Sequence, residues 1–169
     1  MMLKPQDVCL LLKQVVSEPG LAFSHLAAEL GISRAEAYAG LKRVTAAKLF
    51  DVNRNRPVIT ALEEFLIHGV KYAYPAEPGT LTRGVPTGFS APVLVGHFDV
   101  SKGGHMVWPS PNGEERGVGI EPLYKSIPEA CLKDPKLYAA LALVDALRIG
   151  RARERQLAQD LLVRILRKK

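Results

Sequence analysis

The side chains best suited to chemistry lie in the stretch GHFDVSKGGHMVW, which contains His97, Asp99 and His105. A His-x-Asp pair with a second histidine offers ligand types that bind a divalent metal, but no fourth ligand follows at a familiar spacing. Histidines of strands and turns more often hydrogen-bond to the backbone. We therefore predict no metal and no cofactor, and keep a small metal-dependent enzyme only as a distant alternative.

Other catalytic patterns are not found in the sequence. Cys9 and Cys131 have neither metal-ligand spacing nor a neighbouring histidine, and we interpret both as reduced core residues. The glycine-rich stretch PNGEERGVG lacks the Lys-Ser/Thr pair of a phosphate-binding loop. Its Asn112-Gly113 step is typical of a hairpin turn. We therefore expect a protein that is not an enzyme.

No apolar run is long enough to cross a membrane. The N-terminal stretch MMLKPQDVCLLLKQ meets charged residues too early for a signal peptide. We therefore expect a cytoplasmic protein with no membrane partner.

The positive charge is concentrated in two regions of a chain whose net charge is +6. Residues 148–169 contain eight basic and two acidic side chains, and residues 34–56 contain six basic and two acidic ones. Two basic regions on an otherwise balanced chain favour a polyanionic partner. Basic helix faces that are simply solvated are the alternative.

The middle of the chain offers a second kind of candidate site, a pocket for an apolar or anionic effector. Its residues would be Tyr72, Tyr74, Phe89, Trp108, Arg83 and Arg116. A small aromatic core that ties this segment to the helices is the favoured interpretation of the same residues.

Helical periodicity dominates the N-terminal region. Apolar residues recur at i, i+3, i+4, i+7 and i+8 from Val8 in KPQDVCLLLKQVV, which predicts a helix with one core-facing stripe. Ser24 is predicted to cap a short second helix, which ends at Gly31, where a tight turn needs a positive φ.

A third helix is predicted to begin after Ser33, with Glu36 completing a capping box. Its inward residues are expected to be Ala37, Leu41 and Val44. Its outward residues are expected to be Arg34, Tyr38, Lys42 and Arg43. The stretch DVNRNRPVI then predicts a two-stranded hairpin with a polar, basic turn.

The rest of the chain divides into a loop-rich and a helical part. Thr60 and Glu63 predict a capping box for the helix TALEEFLIHGVKYAY. Residues 75–122 contain seven prolines and nine glycines, with strand composition in APVLVGHFDV and GHMVWP, which predicts an ordered segment with a short β-hairpin.

Helices return after residue 122. A capping box of Ser126 and Glu129 precedes a second start signal, Asp134 followed by Pro135. The stretch RARERQLAQDLLVRILRKK predicts a final amphipathic helix with leucines on one face and arginines on the other.

The stretch LAAELGISRAEAYAGLKRVTAAKLF has the spacing that a helix-turn-helix needs. The motif requires a small residue in the first helix, a glycine at the turn, an apolar residue after it and two buried positions in the second helix. These are filled by Ala27, Gly31, Ile32, Ala37 and Leu41. The stretch resembles the winged helix-turn-helix of bacterial MarR-like transcriptional regulators, and the match covers about Pro5 to Ile59. Lys48 stands where that pattern usually has glycine.

The resemblance implies DNA-binding roles. The start of the second motif helix would face base edges with Ser33, Arg34, Glu36, Ala37 and Tyr38. Phosphates would be met by Lys42 and Arg43. The hairpin tip would contribute Asn53, Arg54, Asn55 and Arg56, with Arg54 or Arg56 in the minor groove.

We expect a mainly α (α+β) fold in three parts. These are a winged helix-turn-helix with a following helix over residues 1–74, a Pro/Gly-rich ordered segment over 75–122, and C-terminal helices for dimerisation or partner binding over 123–169. The predicted function is a sequence-specific regulator, a repressor or autoregulator, that binds palindromic double-stranded DNA as a homodimer. More distantly, the whole chain resembles bacterial proteins encoded beside nucleotidyltransferase-like partners. That resemblance implies, as the alternative, an antitoxin-like or adaptor role on a co-encoded protein.

Overall fold

A buried helix, α1 (Pro5–Val16), runs through the middle of the structure, a computed structural model that describes residues 1–98 and 104–168. Every residue from Asp7 to Lys13 is buried. Because seven consecutive residues span nearly two turns, they cover every face of the helix. The sequence predicted one core-facing stripe, whereas elements from both ends of the chain enclose this helix.

Two helices and a short hairpin follow α1. Helix α2 (Phe23–Glu29) ends before Gly31, whose φ of +71° makes the predicted tight turn. Helix α3 (Arg34–Ala46) begins after Ser33, whose Oγ accepts a 3.2 Å hydrogen bond from the Glu36 N–H. Strands β1 (Phe50–Asp51) and β2 (Arg56–Pro57) pair antiparallel, as predicted for this stretch.

The chain then returns to the helical core. Helix α4 (Ile59–Glu64) continues through a π-helical turn (Phe65–Gly69) into α5 (Val70–Ala73), so the predicted helix is present but contains a wider turn. At this turn a Cβ on Gly69 would lie 3.0 Å from the Phe65 ring, so the glycine leaves room for that ring.

The middle segment, residues 75–122, forms a small closed sheet. Its strands are β3 (Leu81–Pro86), β4 (Met106–Pro109) and β5 (Glu115–Gly119). Strand β3 is antiparallel to both others, and β4 and β5 are parallel. The prediction that Asn112-Gly113 turns a hairpin is therefore wrong, since a hairpin would make β4 and β5 antiparallel.

Close backbone approach sets this sheet. A Cβ on Gly84 would lie 2.0 Å from the Trp108 carbonyl oxygen, so only glycine fits there. Residues 91–98 of the predicted strand APVLVGHFDV form turns instead. Asp99 and Val100 lie outside the described residues.

Three helices complete the chain: α6 (Ile127–Leu132), α7 (Pro135–Ile149) and α8 (Ala152–Arg167). Helix α7 is buried from Ala140 to Leu147 and packs on α1 and α8. The Asp134 side chain caps it by accepting a 3.1 Å hydrogen bond from the Leu137 N–H, and Gly150 follows its end, both as predicted.

Three of the predicted helix caps are wrong in detail. Helix α2 begins after Ala22 and α4 after Val58, and neither residue has a capping side chain, so Ser24 and Thr60 lie inside their helices. Ser126 precedes α6, but its hydroxyl donates to the Leu30 carbonyl instead of capping. A tertiary hydrogen bond thus takes the Ser126 side chain away from the local role that its spacing favours.

The result is a mixed α+β structure with one continuous apolar core that extends from Val8 to Leu166 and includes residues of all three predicted parts. No helix in the described ranges is long and apolar enough to span a membrane.

Candidate nucleic-acid interface

Helix α3 has one face in the core and one in solvent. Ala37 is 2% exposed and Val44 is fully buried, which confirms that both face inward. The expectation that Ala37 faces base edges is therefore wrong, because its methyl group is enclosed by the core. Leu41, also expected to face inward, is half-buried at the edge of this face.

Arg43 belongs to the buried side as well. Its Nε lies 2.7 Å from Asp7 Oδ2 and its Nη2 lies 2.8 Å from Asp7 Oδ1, a bidentate pair in which Asp7 is fully buried. Hydrogen bonding to Asp7 raises the pKa of Arg43 further above its usual range. The prediction that Arg43 points outward to phosphates is wrong. The guanidinium joins α3 to α1.

Glu36 is held by the same group of charges. Its Oε1 accepts hydrogen bonds from Arg43 Nη2 at 2.7 Å and from Gln6 Nε2 at 3.0 Å, and Lys4 Nζ lies 3.7 Å away. The bond from Arg43 lowers the pKa of Glu36. Glu36 was expected to face base edges, but its carboxylate is half-buried and engaged in positioning α3.

Sequence reasoning missed the residue that brings these charges together. A Cβ on Gly40 would lie 2.9 Å from both Asp7 Oδ1 and the Leu10 side chain, so α1 and α3 cross closely at this glycine. The signal was available, since Gly40 interrupts an otherwise helix-favouring stretch and a glycine there costs about 1 kcal/mol.

The solvent face of α3 carries the other predicted residues. Ser33, Arg34, Tyr38 and Lys42 are all exposed, and the Tyr38 side chain is 65% exposed. Within residues 1–98 and 104–168, neither Arg34 nor Lys42 forms an ion pair. This face therefore presents two uncompensated cations and polar groups to solvent.

The hairpin tip is exposed and shaped by its own side chains. Asp51 Oδ1 accepts hydrogen bonds from the backbone N–H groups of Asn53 at 3.0 Å and Arg54 at 3.1 Å. Asn55 has a φ of +49°, a conformation that asparagine tolerates, and Arg56 is exposed beside it. Among these residues Arg54 lies 3.7 Å from Asp51, a weak solvent-exposed pair.

A cleft of about 400 Å³ connects α3 with the hairpin. Leu41, Lys42 and Thr45 of the helix line it together with Val52 of the hairpin and Met1. The exposed face of α3 and the hairpin therefore belong to one surface. We call this surface the α3–hairpin face; it comprises Ser33, Arg34, Tyr38, Lys42 and Asn53 to Arg56.

The predicted effector pocket is not formed by its proposed residues. Trp108 is buried, and its Nε1–H donates to Asp145 Oδ2 at 2.6 Å. Tyr72 is 77% exposed, and Arg83 and Arg116 are exposed neighbours on β3 and β5. Trp108, Tyr74 and Phe89 thus pack in or against the core, and Tyr72 lies apart from them in solvent.

Asp145 is instead the centre of a buried polar cluster. It is 1% exposed and also accepts a 2.6 Å bond from Thr87 Oγ1 and a 2.8 Å bond from Arg148 Nη1. Burial raises the pKa of the Asp145 carboxyl, although these three partners oppose the shift. Both carboxylate oxygens accept hydrogen bonds from donors within the protein. Because these donors lie in the middle segment and in α7, the cluster joins the two.

The structure describes two of the three side chains considered for a metal site. His97 and His105 are exposed, and Asp99 lies outside the described residues. No group of three His, Cys, Asp or Glu side chains that could hold a metal is present in the described part of the chain. Cys9 and Cys131 are both buried, and burial raises the pKa of each thiol, which keeps them protonated.

Comparison with known proteins finds no matching family, no matching curated protein and no matching solved structure.

Proposed function

We propose that residues 5–59 form a winged helix-turn-helix and that the protein is a sequence-specific DNA-binding regulator. The observation that carries the proposal is the α3–hairpin face, where cations without strong internal partners lie beside polar side chains on a helix and an adjoining hairpin. Exposed cations suit phosphates, and a helix with an adjoining hairpin can reach two neighbouring grooves.

The positions of these side chains in the structure reduce the set of residues that could contact base edges. Ser33 at the N-cap and Arg34 and Tyr38 in the first turns of α3 have exposed side chains, so we assign base-edge contacts to them. Lys42, one turn further along, and Arg54 and Arg56 of the hairpin would contact the backbone or the minor groove. Arg43 and Glu36 support this arrangement from inside by fixing α3 on α1.

A single winged helix-turn-helix contacts few base pairs. We therefore propose that the protein binds a palindromic site as a homodimer and acts in the cytoplasm as a repressor or autoregulator.

The first test is binding to the DNA upstream of the protein's own gene, with competitor DNA and a salt series. Arg34→Ala would be compared with Arg116→Ala, which removes an equally exposed arginine from β5. We expect Arg34→Ala to reduce discrimination at one base position by about 1–3 kcal/mol and Arg116→Ala to bind as the wild type does.

Selective wild-type binding that falls with salt and is weakened only by Arg34→Ala supports the proposal. If the wild type shows no sequence preference at low salt, the regulator function is excluded. If the wild type binds selectively but Arg34→Ala and Arg116→Ala bind equally well, the base-reading role of Arg34 is excluded.

One observation favours a second function, the binding of a co-encoded protein. The cleft beside Lys42 is almost entirely apolar, Val52 in its wall is 56% exposed, and Tyr38 lies one turn away on the same side of α3. Exposed aromatic and aliphatic side chains around an apolar cleft are typical of protein interfaces.

Val52→Ser distinguishes the two functions because it removes apolar surface without changing charge. Co-expression with the product of the neighbouring gene, followed by calorimetry of the purified pair, measures partner binding. Weaker partner binding by Val52→Ser with unchanged DNA affinity favours the adaptor function, and no complex with the wild type excludes it.

A further inference from the structure

A second positively charged surface adjoins the hairpin, and it shares no lining residue with the cleft between the hairpin and α3. A groove of about 650 Å³ lies between the hairpin tip, the end of α1 and the end of α8. Arg54 and Arg56 line it from the hairpin, and Arg167 and Lys168 line it from α8. Residues that are more than 100 positions apart in the sequence thus form one basic groove.

The hairpin is fixed against this groove by a specific contact. Gln14 Nε2, at the end of α1, donates a 3.1 Å hydrogen bond to the Asn55 carbonyl at the hairpin tip. Because α1 also packs on α8, the positions of the hairpin cations and the α8 cations are coupled through one rigid helix. The two walls of the groove are therefore held at a set separation.

The groove carries more positive than negative charge. Among the described residues, four basic side chains line it and Glu18 is the one acidic lining residue. Arg167 also pairs with Glu63 at 2.9 and 2.7 Å, whereas in the described part of the chain Lys168 and Arg56 have no ion pair. Such a groove attracts a chain of closely spaced negative charges more strongly than it attracts a single anion.

We infer that the end of α8 is part of the DNA-binding surface and that Lys168, with Arg56 opposite, holds the phosphate backbone flanking the site that α3 reads. The inference rests on the proposed function and extends it, since it gives the basic C-terminal helix a role beyond dimerisation. The backbone strand that passes the hairpin tip would continue through the groove, so the contact adds affinity without sequence preference.

The test compares salt dependence in the full-length protein for Lys168→Ala, Arg34→Ala and Lys125→Ala. Lys125 is the matched control, since it is equally exposed but lines a different groove beside β3 and β5. Loss of one phosphate contact lowers the salt slope by about 0.9, so the deficit of Lys168→Ala should shrink about threefold between about 50 mM and about 200 mM salt. The loss of affinity caused by Lys168→Ala should be the same on specific and on non-specific DNA.

A cross-linking experiment gives an independent readout. Lys168→Cys and Arg56→Cys would each be labelled with a photoactivatable thiol reagent, and the labelled nucleotides would be mapped. The native Cys9 and Cys131 are buried, so the introduced thiol is the one that reacts. We expect both variants to mark neighbouring nucleotides outside the region protected by α3.

The outcomes separate the two proposals. If Arg34→Ala weakens binding but Lys168→Ala matches Lys125→Ala in affinity and salt slope, the α8 contact is overturned while the regulator function stands. The same holds if Lys168→Cys marks no DNA while Arg56→Cys does. If the wild type binds no DNA at low salt, both proposals fall together.

Discussion

The N-terminal region (residues 1–74) and the middle segment (residues 75–122) are each held in place by one buried carboxylate, but the two attachments differ: Asp7 joins two helices within its own region, and Asp145 joins the middle segment to α7. Asp7 forms a bidentate pair with a single arginine of a regular helix. The Asp145 carboxylate accepts hydrogen bonds from Thr87 and Trp108 of the middle segment and from Arg148 of its own helix, α7. The first attachment positions a surface for binding. The second adds to the apolar contacts by which Val85, Leu94 and Trp108 of the small glycine-rich sheet segment join the common core.

The largest expected effect on stability comes from removing the Asp145 side chain. Asp145→Ala leaves the indole N–H, the Thr87 hydroxyl and the Arg148 cation buried without their acceptor, so we expect the free energy of unfolding to fall by about 4 kcal/mol. Trp108 is the only tryptophan of the chain, so its fluorescence reports the middle segment directly while circular dichroism reports the helices. Urea unfolding followed by both signals measures the effect.

Asp160→Ala is the matched control, since Asp160 is an exposed aspartate on α8. It should change stability by less than about 0.5 kcal/mol. A loss for Asp145→Ala of similarly small size would show that Asp145 does not hold the middle segment. If Asp145→Ala does not fold, Asp145→Asn, which keeps the shape, provides the measurement.

Removing Asp7 should cost less, about 3 kcal/mol, because Glu36 still accepts a hydrogen bond from the Arg43 left behind. The double variant Asp7→Asn with Arg43→Met removes both charges and should be more stable than Asp7→Asn alone, since no unpaired ion is then buried. Thermal and urea unfolding of the three proteins check this order. A double variant less stable than the single one would contradict the role assigned to the pair.

The two regions should also respond to acid with opposite signs. Arg43 lowers the folded-state pKa of Glu36, so its contribution is present above its ordinary pKa of about 4.3 and is lost as the pH falls through the lowered value. Burial raises the folded-state pKa of Asp145, with Arg148, Thr87 and Trp108 facing it. As the pH falls, the folded protein therefore binds a proton at Asp145 before the unfolded chain does. The contribution of Asp145 to the free energy of unfolding grows as the pH falls through the raised value.

Stability measured against pH for Glu36→Gln and Asp145→Asn separates these contributions. The difference between wild type and Glu36→Gln should shrink in acid, and that between wild type and Asp145→Asn should widen. Parallel difference curves would mean that the two carboxyls share one kind of environment.

The same contrast explains how much the sequence predicts. The presence and order of the helices in the N-terminal region, the turn at Gly31 and the inward direction of Ala37 follow from period and from glycine geometry, which are local. The direction of Arg43 does not, because it depends on Asp7, 36 residues earlier in the chain. In the candidate site, the exposed residues were therefore predicted and the buried supports were not.

In the middle segment nearly all the information is non-local. Register between β3 and β4 is set where Gly84 meets the Trp108 carbonyl, and residues so far apart leave no periodic pattern. An Asn-Gly step makes a hairpin only when its flanking strands pair antiparallel with each other. Here each flanking strand is antiparallel to β3, and β4 and β5 pair in parallel. Propensity was overridden by tertiary pairing.

The smallest predicted effect on stability concerns Lys48, whose backbone adopts a conformation that favours glycine over lysine. Lys48 has a φ of +63° just before β1, at the position where the MarR-like pattern has glycine. Lys48→Gly relieves a left-handed conformation worth about 1–2 kcal/mol, and the greater freedom of glycine in the unfolded chain offsets about half of it. We therefore expect a gain of about 0.5–1 kcal/mol and a rise of about 2 °C in Tm.

Two variants separate backbone relief from loss of charge. Lys48→Ala removes the same exposed cation but keeps the strain, so its Tm should match or fall below that of the wild type. Asn55→Gly changes the other residue of positive φ, at +49°, where asparagine already tolerates the conformation, so its gain should be smaller. If Lys48→Ala stabilises as much as Lys48→Gly, the gain arises from charge rather than from the turn. The left-handed residue then imposes no cost on the hairpin that it precedes.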